Sequence, residues 1–181
     1  RHSAAAGGSL SYKAKPEVNT APSFINTGNI TATASDLLML EAVHVNGPFS
    51  IIAEYMQQYV RGNMETNVFN YWQAGASWFI TGENRRYNKN NGNQGKLIPT
   101  RNLSFSKKNS YGALELDVRL THSDLTNGLI DGGVFNRLSG GFSWYPNDQF
   151  RFSFNYGAGT LNRGGRTGAA DFWQFRLQYE L

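Results

Sequence analysis

Residues 150–158 read FRFSFNYGA, and residues 171–181 read DFWQFRLQYEL. In the first stretch every second residue is aromatic as far as Tyr156, and the residues between are Arg, Ser and Asn. Successive side chains of a β-strand point to opposite faces, so this alternation predicts a strand with one apolar and one polar face. The second stretch repeats the pattern, with Trp, Phe, Leu and Tyr opposed to Gln, Arg and Glu.

The same period of two extends outward from these stretches through most of the chain. We predict eight strands and no helix, which indicates an all-β fold of antiparallel strands. The predicted strands lie near residues 8–16, 36–46, 48–62, 67–82, 110–124, 134–146, 149–161 and 171–181.

The predicted connections alternate in length. Asn46-Gly47-Pro48 and Pro146-Asn147-Asp148 have the residue types of tight turns. Short turns at one end and long loops at the other are typical of an outer-membrane β-barrel. Residues 82–109 are the exception, since they form a long, basic connection where a short turn is expected. The predicted long loops, which are polar and rich in Gly or Asn, are residues 17–35, 125–133 and 162–170.

Composition excludes several classes of protein and site. No stretch approaches the roughly 20 apolar residues of a membrane-spanning helix, whereas barrel strands need only one apolar face. The chain has no cysteine, so a disulfide, a thiolate metal site and a cysteine nucleophile are excluded. Its 17 Lys and Arg exceed its 13 Asp and Glu, for a net charge of +4. This charge favours an anionic partner: nucleic acid, a lipid headgroup or a small anion.

The two faces of the predicted sheet differ in a way that favours a barrel over a β-sandwich. The polar face carries many charges of both signs and cannot be a dry core, because unpaired buried charge is very unfavourable. It is therefore predicted to line a water-filled lumen or an outer surface. Tyr and Trp gather where membrane and water meet. The apolar face is predicted to carry such residues near the strand ends, namely Trp72, Trp78, Trp144, Tyr145, Trp173 and Tyr179.

Several segments together resemble the phosphate-selective porin O and P family. GPFSIIAEY at 47–55 resembles a tight turn and the strand that follows it in that family. The other segments occur in collinear order over nearly the whole chain. They are KAKPE (13–17), INTGNI (25–30), ITGENRRY (80–87), GALELDVRL (112–120), SGGFSWYPND (139–148) and FRFSFNY (150–156).

The resemblance implies a fold, a location and a function. Members of the family are outer-membrane porins of Gram-negative bacteria, with sixteen-stranded, usually trimeric barrels that pass anions such as phosphate. It implies an antiparallel transmembrane β-barrel, of which residues 1–181 are the carboxy-terminal half with eight strands, and a homotrimer in contact with outer-membrane lipid. The basic arrangement on which phosphate selectivity depends in the family lies in its amino-terminal half.

Basic residues are the candidate pore-lining and anion-binding groups. The resemblance implies that the connection after Thr81-Gly82-Glu83 is periplasmic and folds back into the pore; the alternative is a solvated loop that binds nothing. The candidates in this connection are Arg85, Arg86, Lys89, Lys96 and Arg101. Those expected on the strands are Lys13, Lys15, Arg119, Arg137, Arg151 and Arg176. For Arg119 we expect an ion pair with Glu115 or Asp117, and for Arg176 one with Glu180.

No catalytic or cofactor-binding pattern is found. The histidines His2, His44 and His122 are far apart and lie in no metal-binding motif, so we expect neither an enzyme nor a metal or other cofactor. Basic and aromatic residues fall on opposite faces, which argues against nucleic-acid binding. Two alternatives to the porin stay open: a soluble β-sandwich that stacks carbohydrates on Trp and Tyr, and a complete eight-stranded barrel that acts as an outer-membrane anchor or adhesin.

Overall fold

The computed structural model describes residues 2–16, 21–84, 87–88, 93–108 and 110–180. Over these residues the chain is built from β-strands, eight of which form one antiparallel sheet in the order β1-β4-β5-β6-β9-β10-β11-β12. Two further pairs, β2-β3 and β7-β8, are only two residues long. The strands are β1 His2–Leu10, β2 Lys13–Ala14, β3 Ile25–Asn26, β4 Ile30–Asn46, β5 Phe49–Arg61, β6 Thr66–Phe79, β7 Tyr87–Asn88, β8 Asn93–Gln94, β9 Ala113–Asn127, β10 Ile130–Tyr145, β11 Phe150–Arg163 and β12 Arg166–Tyr179.

The prediction of eight long antiparallel strands is confirmed, and neighbours along the chain are neighbours in the sheet. The end of the sheet with turns 47–48 and 146–149 is called the lower end, and the opposite end the upper end. The lower end also carries the long connection 80–112, the lower segment, where a long connection was predicted. The upper end carries turns 62–65, 128–129 and 164–165, together with residues 11–29, called the upper segment. The described residues contain no helix long and apolar enough to cross a membrane.

Two of the loops predicted at the upper end are wrong. Instead of loops at 125–133 and 162–170, the strands continue and are joined by two-residue turns, with Asn127 paired to Ile130 and Arg163 paired to Arg166. The 164–165 turn uses Gly164 and Gly165 at φ of 59° and 69°, the left-handed conformation that such two-residue hairpins need. The strands become polar on both faces here, so the alternation ends before the hydrogen-bonded ladder does.

The start of the sheet also differs from the prediction. The first strand is β1, His2–Leu10, rather than residues 8–16, and β4 begins at Ile30 within the predicted loop 17–35. The residues of β1 are mostly Ala, Gly and Ser, which give no amphipathic signal, and the strand is defined by its pairing with β4. Lys13 and Lys15 consequently lie in the upper segment and not on a strand of the large sheet.

Small apolar clusters lie where the two segments cover the sheet. At the upper end Val60 and Phe69 are buried beside Tyr12 and Leu10. At the lower end Leu97 of the lower segment packs against a buried cluster of Phe79, Ala113 and Tyr145. The polar stretch between these clusters is the part of the sheet that carries the candidate site.

Candidate functional site

The sheet is polar on its covered face and apolar on its exposed face. Ser143 is 2% exposed and Glu115 is 3% exposed, whereas Trp173 and Phe175 on the other face are 68% and 71% exposed. Pairing places Glu115, Ser143 and Ser153 side by side across β9, β10 and β11, so the covered face is continuous across the strands. This covered face is called the concave face below, and the apolar one the convex face.

Arg137 is held at the upper half of the concave face by two aromatic rings. It is 5% exposed, and its Nη2 donates a hydrogen bond of 3.0 Å to Thr121 Oγ1. Its guanidinium carbon lies 6.0 Å from the Phe135 ring centroid and 5.8 Å from that of Phe172. Ring faces attract a cation through their quadrupole, so this arrangement offsets part of the penalty for burying the charge.

Two glycines of β11 make room for these rings. A Cβ at Gly157 would lie 2.3 Å from the Phe172 ring, and one at Gly159 would lie 2.8 Å from the Phe135 ring. The pairing partner of Arg137 on β11 is Gly159. The sequence Gly157-Ala158-Gly159 therefore provides space beside an arginine.

Arg151 belongs to a hydrogen-bonded network at the lower half. Its Nη2 donates a 3.0 Å hydrogen bond to Ser143 Oγ, which lies 2.9 Å from Ser153 Oγ. Its guanidinium carbon lies 5.2 Å from the Tyr145 ring centroid. The Tyr145 hydroxyl in turn donates a 3.0 Å hydrogen bond to Glu115 Oε2. The network holds the Arg151 guanidinium against the concave face.

The placement of Tyr145 corrects the predicted aromatic face. Trp72, Trp78, Trp173 and Tyr179 are exposed on the convex face as expected, but Tyr145 is 7% exposed on the concave face. The preceding Trp144 points the other way, since adjacent residues of a strand alternate. Because two aromatic residues are adjacent, the sequence pattern did not separate their faces.

Cavities along the concave face, lined by the described residues, bring most of the predicted residues together. The upper cavity, of about 600 Å³, is lined by Lys13, Lys15, Arg119 and Arg137 among others. A middle cavity of about 220 Å³ joins Arg119 and Arg151 with Glu115 and Asp117. A lower cavity of about 330 Å³ joins Arg151 and Lys96 with Asp148 and Glu180.

The other predicted residues lie apart from these cavities or outside the described residues. Arg176 of β12 pairs with Ser153 of β11 and is exposed. The neighbouring Glu180 accepts a hydrogen bond from Gln178 Nε2. Arg101 is an exposed residue of the lower segment. Arg85, Arg86 and Lys89 lie outside the described residues.

The lower segment is attached to the sheet by a carboxylate that the sequence analysis missed. Glu83 is 5% exposed and accepts hydrogen bonds from the Thr81 hydroxyl and, at 3.3 Å, from the backbone N–H of Thr100. Thr81 Oγ1 also accepts a 2.9 Å bond from the N–H of Leu114 on β9. We call Thr81, Glu83 and Thr100 the clasp, because together they join the beginning of the lower segment and its residues near 100 to the sheet at β9.

We expect Glu83→Gln to loosen the lower segment. The amide has one acceptor oxygen where the carboxylate has two, so one of these part-buried hydrogen bonds is lost, at about 1 kcal/mol. Since the chain has no cysteine, a Leu97→Cys variant provides one thiol whose labelling by a methanethiosulfonate reagent reports opening. Labelling should accelerate by at least about fivefold in Glu83→Gln. Glu65→Gln in the exposed 62–65 turn is the control, and equal rates in both variants would rule out the clasp.

The chain is similar to known proteins over most of its length. Residues 3–181 match the family described as "Phosphate-selective porin O and P". An uncharacterized protein of Caulobacter vibrioides (strain ATCC 19089 / CIP 103742 / CB 15) is 30% identical over 150 residues. These residues are 81% of this chain and 29% of that protein, so the chain spans less than a third of the relative it matches.

The family match agrees with the geometry. An apolar convex face, a polar concave face with arginines and antiparallel strands joined by hairpins are the features of a porin wall. With the match extending over residues 3–181, the chain belongs to the phosphate-selective porin O and P family, a family of outer-membrane porins.

Proposed function

We propose that the full-length protein forms a water-filled diffusion channel in the outer membrane of a Gram-negative bacterium. The channel favours small anions such as phosphate. This chain is the carboxy-terminal eight strands of a closed, sixteen-stranded barrel that assembles as a homotrimer. The observation that carries the proposal is the inverted polarity of the sheet, with Glu115 and Arg137 covered on one face and Trp173 and Phe175 exposed on the other.

The apolar convex face has the height that a bilayer requires. On β11 it extends from Phe150 to Ala158, and Thr160 and Asn162 follow on the same face. Eight residues rise about 27 Å along a strand, or about 20 Å along the normal at a tilt near 40°. This is close to the apolar band of roughly 25 Å in outer-membrane barrels. Outer-membrane lipid is therefore the proposed partner of this face.

The edges of the sheet favour further strands. β1 pairs with β4 only as far as Ser35, so the part of β4 from Asp36 to Asn46 is paired with β5 alone among the described strands. The unpaired backbone groups of an edge strand can pair with another strand, and a closed barrel has no such edges. β4 and β12 are thus the proposed sites where the remaining strands of the barrel join.

The basic residues of the concave face support a preference for anions. Arg119 and Arg151 line the middle cavity, and Lys96 lines the lower one. Fixed positive charge along a lumen lowers the barrier for anions to enter and raises it for cations. The network around Arg151 holds its guanidinium in place, so its positive charge is already positioned when no ion is bound. We assign the same role to the basic residues of the lower segment, Arg85, Arg86, Lys89, Lys96 and Arg101.

Both alternatives fit the structure less well. A soluble β-sandwich would bury its apolar face, whereas here Phe175 and Leu177 are more than half exposed. A complete eight-stranded barrel would pair its first and last strands, and among the described residues β1 pairs with β4 and β12 with β11.

The test is the reversal potential of the full-length protein in a planar bilayer under a KCl gradient. We expect the reversal potential to be shifted toward the equilibrium potential of chloride. The chloride current should decrease when phosphate is added. Anion selectivity without block by phosphate would retain the channel and remove phosphate from the proposal. The absence of a channel, or a cation-selective one, would overturn it.

A further inference from the structure

The upper cavity is larger, and the chemistry of its lining residues more varied, than the passage of an inorganic anion requires. Its volume of about 600 Å³ lies within the range of roughly 300–1,000 Å³ that is usual for sites of organic small molecules. Its roof is the upper segment from Tyr12 to Lys15, and its floor is formed by β5, β6, β9 and β10. The upper segment is anchored by a 2.9 Å hydrogen bond between the Tyr12 hydroxyl and Ser35 Oγ, so the roof is part of the fold.

The floor runs from a carboxylate to a guanidinium. Strand pairing places Glu54, Gln73, Thr121 and Arg137 in one row across β5, β6, β9 and β10. With strands about 4.8 Å apart, the backbones of Glu54 and Arg137 are about 14 Å apart. Side chains that point into the same cavity reach toward each other across that gap, so one organic ligand can contact both ends of the row.

The basic end of the cavity fits a phosphate group. Arg137 and Arg119 on the floor face Lys13 and Lys15 on the roof. Arginine presents several N–H donors in a plane that matches the oxygens of a phosphate, and lysine adds a mobile point charge. Glu54 at the other end has no use in a site for an inorganic anion, since its charge repels the ion.

A polyhydroxylated body accounts for the acidic end. A carboxylate accepts strong hydrogen bonds from hydroxyl groups, and the Gln73 amide both donates and accepts. The half-buried rings of Tyr12 and Tyr71 border the same cavity and offer flat apolar surfaces for the C–H face of a sugar ring. Hydroxyls, a ring with an apolar face and an acidic group on one side together describe a phosphorylated sugar.

We propose that the upper cavity is a binding site for sugar phosphates, with the phosphate at Arg137, Arg119, Lys13 and Lys15 and the sugar hydroxyls at Glu54 and Gln73. This inference rests on the proposed function, because the site lies on the lumen wall and serves the entry of the solute. It goes beyond that function in assigning an organic substrate class and a recognising carboxylate.

The experiment measures block of the chloride current through the full-length protein by glucose 6-phosphate, inorganic phosphate and glucose at equal ionic strength. Glucose 6-phosphate and inorganic phosphate carry similar charge at neutral pH, so a difference between them reports the sugar. We expect half-block by glucose 6-phosphate at a concentration at least about fivefold lower than by phosphate, as even one or two added hydrogen bonds give such a ratio. Glucose alone should not block.

Glu54→Ala separates recognition from electrostatics. Removing a negative charge from a basic cavity makes the electrostatic contribution more favourable for every anion, so inorganic phosphate, which has no other contact with Glu54, should block equally or better. Block by glucose 6-phosphate should instead weaken by at least about fivefold, since the sugar loses its acceptor. The matched control is Glu41→Ala, because Glu41 pairs with Glu54 on the neighbouring strand β4 and bears the same charge. Both half-blocking concentrations should stay within about twofold there.

The outcomes distinguish this inference from the proposed function. Equal block by glucose 6-phosphate and phosphate would overturn the sugar site and leave the anion channel in place. A shift of both blockers in the same direction in Glu54→Ala would do the same. A protein that forms no channel would overturn the proposed function, and this inference with it.

Discussion

Arg119→Glu should lower the anion-to-cation permeability ratio of the proposed channel by about tenfold at low salt. Two unit charges about 6 Å apart interact by roughly 0.7 kcal/mol in bulk water and more at the lower effective dielectric of a protein surface. Reversal of the charge doubles the change, to at least about 1.4 kcal/mol, which corresponds to a factor of about ten. Arg119 is the suitable position because it lines both the upper and the middle cavity.

The control for this reversal changes the same charge elsewhere on the sheet. Arg61 ends β5 at the upper rim and pairs with Asp36 at 3.0 Å, with half of its side chain exposed. Arg61→Glu should leave the permeability ratio within about twofold, because an exposed charge away from the lumen is screened by salt. Reversal potentials in bilayers under a KCl gradient measure both variants. An equal change in the two would mean that overall charge, and not the lumen wall, sets the preference.

Phe175→Arg should destabilise the folded protein in a bilayer by about 2–4 kcal/mol, the cost of a lipid-facing arginine at the bilayer midplane. Phe175 is 71% exposed on the convex face and lies in the row of Phe142 and Phe154, near the middle of the apolar band. The free energy of unfolding from urea titrations in phospholipid vesicles measures the effect, and a fraction of unfolded protein should appear at low urea.

Gln174→Arg is the matched control, since it introduces the same side chain one residue away. Gln174 lies on the concave face, where its partner on β11 is Asn155. An arginine there stays in water, so the free energy of unfolding should change by less than about 0.5 kcal/mol. If the protein were a soluble sandwich, the order would be inverted. Arginine at Phe175 would then be harmless or improve solubility.

Alternation of polar and apolar residues was enough to predict most strands. A strand with one face in water and one apolar face needs this alternation, with a period of two residues. The stretch around Phe150–Tyr156 and the one ending at Tyr179 show it without interruption, and both lie in strands whose register follows the predicted faces. The prediction failed where that requirement ends. The predicted strand ends at residue 161, and Asn162 and Arg163 continue it where both faces are polar and no alternation marks the strand.

The arginines of the candidate site could be predicted from the sequence, but the residues that they contact could not. Arg119, Arg137 and Arg151 were identified from their strand positions. Their neighbours come from residues distant in the chain, and strand register brings them together. Phe172 reaches Arg137 across β11 only because Gly157 and Gly159 leave space, a relation that no local pattern contains. Local turn signals place hairpin neighbours side by side, but they give neither the register of the strands nor the side chains that meet across a third strand.

The sequence by itself determined that this protein is all-β, that its strands have one charged and one aromatic face, and that Arg119, Arg137, Arg151 and Arg176 lie on the charged face. These properties depend on the side-chain order along each strand, which is local. Only the tertiary structure decided that Lys13 and Lys15 form the roof of a cavity, that Tyr145 joins Glu115 on the concave face, and that Glu83 attaches the lower segment. Each of these contacts joins residues far apart in the chain, so pairing and burial decide them.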